Sequence, residues 1–122
     1  MKTIKILFAS IFAFLAFQSA NAQSGKEAIN NRTKTETVKV YGECGMCKKR
    51  IEKAASSVEG VQSASWNEDT KQLTIKYDLF KKDAVDGVQK KVAAVGHDTE
   101  KYSADNATYQ KLPGCCHYQR KQ

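Results

Sequence analysis

Apolar and polar side chains alternate with a two-residue period in three stretches of the chain, and each stretch predicts a β-strand. The alternation covers residues 35–41, 61–66 and 73–77. A polar run over residues 67–70 predicts a hairpin loop between the second and third strands. Residues 99–102 can form one further short strand.

The stretches between these strands have the spacing of amphipathic helices. One helix is predicted from Met46 to a stop at Gly60, and a second lies between a cap at Asp83 and a stop at Gly96. The resulting order β-α-β-β-α-β over residues 35–102 predicts an α+β, ferredoxin-like sandwich. In that fold two helices lie on one face of a four-stranded antiparallel sheet.

The first 22 residues follow neither pattern. Two lysines precede a 12-residue apolar run over residues 6–17, which is too short to cross about 30 Å of hydrocarbon at about 1.5 Å per residue. The motif Ala-Asn-Ala at residues 20–22 then matches a signal-peptidase site. Residues 1–22 are therefore predicted to be a signal peptide, and the protein to be periplasmic or secreted. The alternative is a membrane anchor or a buried helix.

Length and charge narrow the class of protein. The 122 residues contain 20 Lys and Arg against 13 Asp and Glu, which suits one small basic domain. A large enzyme with its own cofactor-binding domain is excluded, and so is a polytopic membrane protein. We expect a flexible lead-in over residues 23–34, a core domain over 35–102 and a polar, cysteine-containing C-terminal tail over 103–122.

The positive charge also raises the question of nucleic-acid binding. A ferredoxin-like sheet that binds RNA needs aromatic residues on which bases can stack. Tyr41, Trp66 and Tyr77 are scattered, so no nucleic-acid partner is expected. The charge is interpreted as a solvated surface or as a docking site for an acidic partner.

Cys44 and Cys47 carry the clearest chemical signal in the sequence. They are three residues apart where the first strand gives way to the first helix, so both sulfurs can point to one position. A helix N-terminus lowers the pKa of a thiol, and Lys48, Lys49 and Arg50 add positive charge nearby. Thiolates are soft ligands that select Cu(I), Zn(II) and, by the same softness, Hg(II).

Other functions share the Cys-x-x-Cys spacing. It occurs in thiol–disulfide oxidoreductases and as half of a structural zinc site, and in an exported protein it can form a structural disulfide. A thioredoxin-like enzyme normally has a Trp before its first Cys and a cis-proline facing the motif. The only Trp and Pro of this chain are Trp66 and Pro113, which lie elsewhere. No nucleophile–base set is visible either, so the protein is predicted not to be an enzyme, with a thiol–disulfide oxidoreductase as the alternative.

Several motifs in the predicted order match one family. They are the strand over residues 38–41, the Cys-Gly-Met-Cys loop at 44–47, the turn Val-Glu-Gly-Val at 58–61 and the helix exit Val-Gly-His at 95–97. With these motifs, residues 35–102 resemble the heavy-metal-associated domains of copper chaperones, metal-transporting ATPases and periplasmic mercury-binding proteins. The resemblance implies a ferredoxin-like fold with the two cysteines of the loop as metal ligands.

The loop departs from the family in two ways. The family usually has Gly-Met-x before its first Cys, where this chain has Tyr41-Gly42-Glu43, so the Met that packs under the loop is missing. Glu43 also places a negative charge beside the site. Gly42 and Gly45 are expected to let the backbone bend around an ion.

His97 is a possible additional ligand. It follows the glycine that ends the second helix, in a loop that lies beside the metal in the family. Its imidazole could be a third ligand or a proton-linked gate on metal release. The alternative is a partly exposed histidine with no role.

The tail contains three more candidate ligands, Cys115, Cys116 and His117. Side chains of adjacent cysteines diverge, so the pair could supply one extra thiolate, form disulfides or capture metal with low affinity. The four cysteines of the chain allow three full pairings. Pro113-Gly114 suggests a turn that presents the pair, and the tail could fold back to the Cys44/Cys47 loop.

Together these features predict an exported metallochaperone. It would capture Cu(I) between Cys44 and Cys47 and pass it by thiolate exchange to a metal-transporting ATPase or another efflux or uptake membrane protein. Hg(II), as in a mercury-resistance scavenger, is the second choice. Zn(II) would need two further ligands from the tail or Glu43. The protein is expected to be a monomer or a metal-bridged dimer with no membrane span after signal cleavage.

Overall fold

The computed structural model describes residues 32–122. The predicted signal peptide and the lead-in up to residue 31 lie outside the described residues. Within the described part of the chain, no helix has the length and apolar character that a membrane span requires.

The sheet consists of three antiparallel strands, β1 (Thr33–Lys39), β2 (Val61–Trp66) and β3 (Gln72–Asp78), in the order β1-β3-β2. β1 thus begins two residues before the predicted start. Leu73 pairs with Val38 on one side and with Trp66 on the other. All three side chains are buried, because the alternating pattern turns one face of the sheet toward the core.

The predicted fourth strand is reduced to one bridge among the described residues. Val40 and Thr99 form an isolated antiparallel pair. Beyond it the chain turns back on itself, since the backbone N–H of Thr99 donates to the carbonyl of Tyr102 at 2.7 Å. The N–H of Tyr102 in turn donates to the Thr99 hydroxyl at 3.0 Å. These local hydrogen bonds replace the ladder that a fourth strand over residues 99–102 would need.

Two helices, α1 (Gly45–Ser56) and α2 (Ala84–Ala94), cover the buried face of the sheet. α1 ends before Gly60, which instead occupies the turn into β2 with φ 92°. A Cβ there would lie 2.6 Å from Cγ of Lys81, so this turn requires glycine. Gly96, with φ 110°, follows the end of α2 as predicted.

The core lies between the helices and the sheet. Its members share very low exposure and alternate along the strands or repeat every three to four residues along the helices. They include Val38, Val40, Cys47, Ile51, Ala55, Trp66, Leu73, Ile75, Tyr77, Ala84, Val88 and Val92.

The C-terminal segment also packs against this core. It contains the short helix α3 (Asn106–Gln110) and a 3₁₀ turn over Gly114–Cys116. Leu112, Cys116 and Tyr118 are buried. Leu112 lies over the end of α2, where a Cβ on Gly96 would meet its side chain at 3.0 Å.

Hydrogen bonds from Tyr118 fasten this segment to the loop after α2. Its hydroxyl donates to the carbonyl of Gly96 at 2.7 Å and accepts from the N–H of Asp98 at 2.8 Å. Its ring stacks on His97 with centroids 5.4 Å apart. Tyr109 packs edge-on against the same ring at 5.0 Å.

A buried ion pair provides the second anchor. The carboxylate of Asp98 is only 1% exposed and accepts from the guanidinium of Arg120 at 2.8 and 3.1 Å. It also accepts from the backbone N–H groups of Ala104 and Lys121. Because these donors satisfy the buried charge, the segment is held in one position.

Candidate metal centre

Cys44 and Cys47 lie where the sequence places them, at the N-terminus of α1. Cys44 is the N-cap residue and has an extended backbone, while Cys47 lies in the first turn and is fully buried. Their sulfurs are 3.6 Å apart. The hydrophobic period of α1 fixes this arrangement because Cys47, Ile51 and Ala55 share its buried face.

Trp66 packs against the backbone that leads into the Cys44/Cys47 loop. Its indole N–H donates to the carbonyl of Val40 at 3.0 Å, and its ring lies against Gly42. A Cβ on Gly42 would be 3.0 Å from that ring and 3.2 Å from Cβ of Cys47. Gly42 therefore allows close packing here and does not adopt a left-handed backbone, which among the described glycines only Gly60 and Gly96 do.

The C-terminal segment brings two further sulfurs to Cys44. Sγ of Cys44 lies 3.2 Å from that of Cys115 and 3.3 Å from that of Cys116. The two adjacent cysteines have their sulfurs 4.0 Å apart, so their side chains converge, contrary to the expectation that neighbours diverge. The 3₁₀ turn over Gly114–Cys116 produces this convergence. We call Cys44, Cys47, Cys115 and Cys116 the sulfur cluster.

All four cysteines are free thiols, and their environments differ. Burial raises the pKa of Cys44, but hydrogen bonding with the Cys47 backbone N–H and with the other thiols outweighs it and holds the pKa at about 6. Contact with Cys44 raises the pKa of Cys115. Burial raises that of Cys116. In the metal-free protein the negative charge therefore resides on Cys44 and not on Cys115 or Cys116.

Cationic and thioether groups border the sulfur cluster. Arg50 donates from Nη1 to Sγ of Cys116 at 3.5 Å. Sδ of Met46 lies 3.7 Å from Sγ of Cys115. Met46 is 52% exposed, so this side of the cluster opens to the surface, where Lys49 and Lys53 line an adjoining groove.

His97 is fully buried, so the partly exposed histidine of the alternative interpretation is not found. Its Nδ1 lies 2.9 Å from the carbonyl of Tyr41 and must donate to it. Nε2 is buried and makes no hydrogen bond. Burial is the main cause that lowers the pKa of His97 to about 4, and the charge of Arg50 lowers it further. The imidazole is therefore neutral at physiological pH.

The candidate histidines do not join the sulfurs in one group. Within residues 32–122, the group whose donor atoms all lie within 4.8 Å of one another consists of Cys44, Cys115 and Cys116. His117 is exposed and contacts the ring of Tyr109 at 5.2 Å. Its role as a ligand, like that of His97, stays a prediction.

Sequence reasoning missed the residues that anchor the tail, namely Asp98, Tyr118 and Arg120. One weak signal for packing was available. Tyr109, Leu112 and Cys116 are spaced three and four residues apart in an otherwise polar segment, which is the spacing of a helical face. The ion pair between Asp98 and Arg120 has no such local signature.

Comparison with known proteins identifies the family of the domain. The heavy-metal-associated domain family matches residues 34–98, more than half of the chain. A solved structure named CopZ metallochaperone is 33% identical, and the alignment covers 54% of this chain and 98% of that one with a TM-score of 0.50. The N-terminal domain of the zinc(II) ATPase ZiaA, in its apo form, is 30% identical over 73% of this chain and 82% of its own, with a TM-score of 0.47.

The curated proteins gave no match. The matched region ends at residue 98 and therefore excludes Cys115 and Cys116. It includes the Cys44/Cys47 loop, both long helices and all three strands apart from Thr33. The chain belongs to the heavy-metal-associated domain family.

Proposed function

We propose that this protein is an exported metallochaperone that binds Cu(I) through Cys44 and Cys47 and passes it to a membrane transporter by thiolate exchange. The observation that carries the proposal is the pair of sulfurs 3.6 Å apart at the N-terminus of α1, within a domain of the heavy-metal-associated family. The protein acts as a carrier, and the ion is its cargo.

Cu(I) suits this site on chemical grounds. It is a soft ion that prefers thiolate and thioether ligands. The site offers Cys44 and Cys47, with Sδ of Met46 3.7 Å from Sγ of the neighbouring Cys115 and no carboxylate in the described cluster. Hg(II) shares this preference and is the second candidate. Zn(II) prefers four ligands, which Cys44 and Cys47 do not provide by themselves.

The export step and the partner complete the proposal. The charged start, apolar run and Ala-Asn-Ala motif of residues 1–22 support export. Lys49, Lys53 and Lys91 line the groove beside Met46, so an acidic metal-binding domain of a transporting ATPase, or of another efflux or uptake protein, would be attracted to the open side of the site.

A Cu(I) titration of the reduced protein under anaerobic conditions tests the site. A competing Cu(I) chelator with a coloured complex reports stoichiometry and affinity for wild type, Cys44→Ser and Cys47→Ser. We expect one tightly bound Cu(I) in wild type and a loss of at least about tenfold in affinity in each variant, since each lacks one thiolate.

Glu43→Gln is the control for this titration. Glu43 is exposed and adjoins Cys44, so its loss should leave the affinity unchanged if the site uses sulfur alone. Stoichiometric tight binding that persists in Cys44→Ser would contradict the proposed site. Metal-free disulfide reductase activity of wild type would instead favour the oxidoreductase.

A further inference from the structure

We infer that Cys115 and Cys116 are ligands of the same ion, so that the centre holds a thiophilic ion with three or four thiolates instead of two. The inference rests on the proposed function and specifies its coordination. Both residues lie outside the matched family region, which ends at residue 98. They would therefore be an addition that this chain makes to the family's loop.

The spacing of the sulfurs supports this coordination. With metal–sulfur bonds of about 2.3 Å, sulfurs lie about 4.6 Å apart in a linear pair, about 4.0 Å apart in a trigonal site and about 3.8 Å apart in a tetrahedral site. Sγ of Cys44 lies 3.2 and 3.3 Å from those of Cys115 and Cys116, which are 4.0 Å apart, so these three form one compact group. Sγ of Cys47 lies 3.6 Å from that of Cys44 but is not within 4.8 Å of all three. The three-sulfur group is therefore compact enough for a trigonal site and well below the spacing of a linear pair, whereas a tetrahedral site requires Cys47 to approach the tail sulfurs.

The tail holds these sulfurs in place before any ion binds. Tyr118 is hydrogen-bonded to the loop after α2 two residues beyond Cys116, and Leu112 packs on Gly96 three residues before Cys115. The pair is thus fixed on both sides. Because the entropic cost of ordering the tail is met on folding, binding an ion does not incur it again.

The surroundings of the two sulfurs also suit a bound thiolate pair. Cys116 is fully buried and accepts from the guanidinium of Arg50 at 3.5 Å, which offsets the negative charge of an added thiolate. Packing in the core does not account for a cysteine at position 115, because this side chain is exposed. Its sulfur nevertheless lies beside those of Cys44 and Met46.

The geometry therefore selects a class of ion. Soft d¹⁰ ions that accept three thiolates fit it, with Cu(I) in a trigonal site as the first choice, and Zn(II) in a tetrahedral site would need Cys47 to approach as the fourth ligand. Each thiol that coordinates releases its proton to solvent, and no electron is transferred. Being exposed, Cys115 is the ligand that a partner's thiolate can replace first.

X-ray absorption of the Cu(I)-loaded protein counts the sulfur neighbours directly. We expect three or four in wild type and two in Cys115→Ser/Cys116→Ser, which should bind Cu(I) about tenfold or more weakly in the chelator competition. Cys115→Ser alone changes only an exposed side chain and should lose one sulfur without affecting folding. Circular dichroism verifies the fold of each variant.

Two further variants test whether docking of the tail matters. Tyr118→Phe keeps all four cysteines but removes the hydroxyl that bonds Gly96 and Asp98, so affinity should fall toward that of the double variant. Gln119→Ala, at an exposed position beside Tyr118, is the matched control and should behave as wild type.

Each result bears on one claim. Two sulfur neighbours in wild type, with unchanged affinity in the double variant, would overturn the inference while leaving the Cys44/Cys47 site intact. Loss of a nitrogen neighbour in His117→Asn would likewise overturn it by assigning the tail ligand to the imidazole. Tight binding that persists in Cys44→Ser would instead contradict the proposed function.

Discussion

At the residue scale, three side chains around the loop after α2 bury polar groups. The Asp98 carboxylate forms an ion pair with Arg120 and accepts hydrogen bonds from two backbone N–H groups. The Tyr118 hydroxyl both accepts and donates a hydrogen bond. His97 differs because Nε2 has no hydrogen-bond partner in this structure. A buried polar group without a partner destabilises the fold, and it does so far more strongly when it becomes charged.

The stability of the metal-free protein should therefore depend on the protonation of His97. Its pKa is about 4 in the folded state against an ordinary value of 6.5, so the unfolded chain takes up the proton first as the pH falls. Above about pH 6.5 His97 is neutral in both states and does not lower the free energy of unfolding. As the pH falls to about 4, protonation of the unfolded chain lowers that free energy by roughly 3 kcal/mol. Urea unfolding of the reduced protein at several pH values measures it.

His97→Phe keeps a ring against Tyr118 but removes the titration. Its free energy of unfolding should be about 1 kcal/mol lower at pH 7.5, because the hydrogen bond to Tyr41 is lost, and should vary less between pH 6.5 and 4. An unchanged slope in His97→Phe would assign the pH dependence to other groups.

At the scale of elements, the contact between α1 and the sheet decides where Cys47 lies. Gly42 and Gly45 flank Cys44, and sequence reasoning assigned both to backbone bending. The structure shows that the two glycines have different surroundings. Gly42 is pressed against Trp66 and Cys47, whereas a Cβ on Gly45 would meet only Glu68 Oε1 at 3.7 Å.

Gly42→Ala should therefore disturb the site and Gly45→Ala should not. The added methyl at position 42 would push Trp66 and Cys47 apart by a few tenths of an ångström, with an expected destabilisation of about 1–3 kcal/mol and weaker Cu(I) binding. Gly45→Ala begins α1 with a better helix former and should be neutral or slightly stabilising.

Thermal unfolding and the Cu(I) competition assay compare the two variants. Equal effects of both substitutions would show that flexibility of the loop, and not packing under it, determines the site.

At the scale of the whole molecule, positively charged side chains and exposed sulfur-containing residues lie together on the side of the cluster from which the ion would leave. Met46 and Cys115 are exposed beside the sulfur cluster, and Lys49, Lys53 and Lys91 line the neighbouring groove. An acidic acceptor could dock on this surface with its cysteines close to the cluster. Charge at such a surface chiefly changes the rate of association.

Lys53→Glu should consequently slow Cu(I) transfer to an acidic two-cysteine acceptor domain while leaving Cu(I) affinity unchanged. Lys82→Glu makes the same charge change in a different groove, beside Val58 and Asp83, and is the matched control. Stopped-flow transfer at low and high salt measures the effect, which salt should reduce. Equal slowing by both variants would attribute it to net charge and not to this surface.

The sequence by itself determined the parts that depend on local periodicity. The alternation along β1, β2 and β3 and the helical spacing in α1 and α2 follow from burying one face of each element, and they place Cys44 and Cys47 at the start of a helix. The family resemblance rests on the same residues. The stop at Gly96 was also predicted correctly, because a left-handed backbone there favours glycine.

Only the tertiary structure decided the fourth strand, the burial of His97 and the place of the tail. A turn closed by Thr99 and Tyr102 takes the hydrogen bonds that a strand would use. The tail is held by single contacts between residues far apart in sequence, such as that of Tyr118 with Gly96. Contacts of this kind have no period in the sequence, yet they bring Cys115 and Cys116 within 3.3 Å of Cys44.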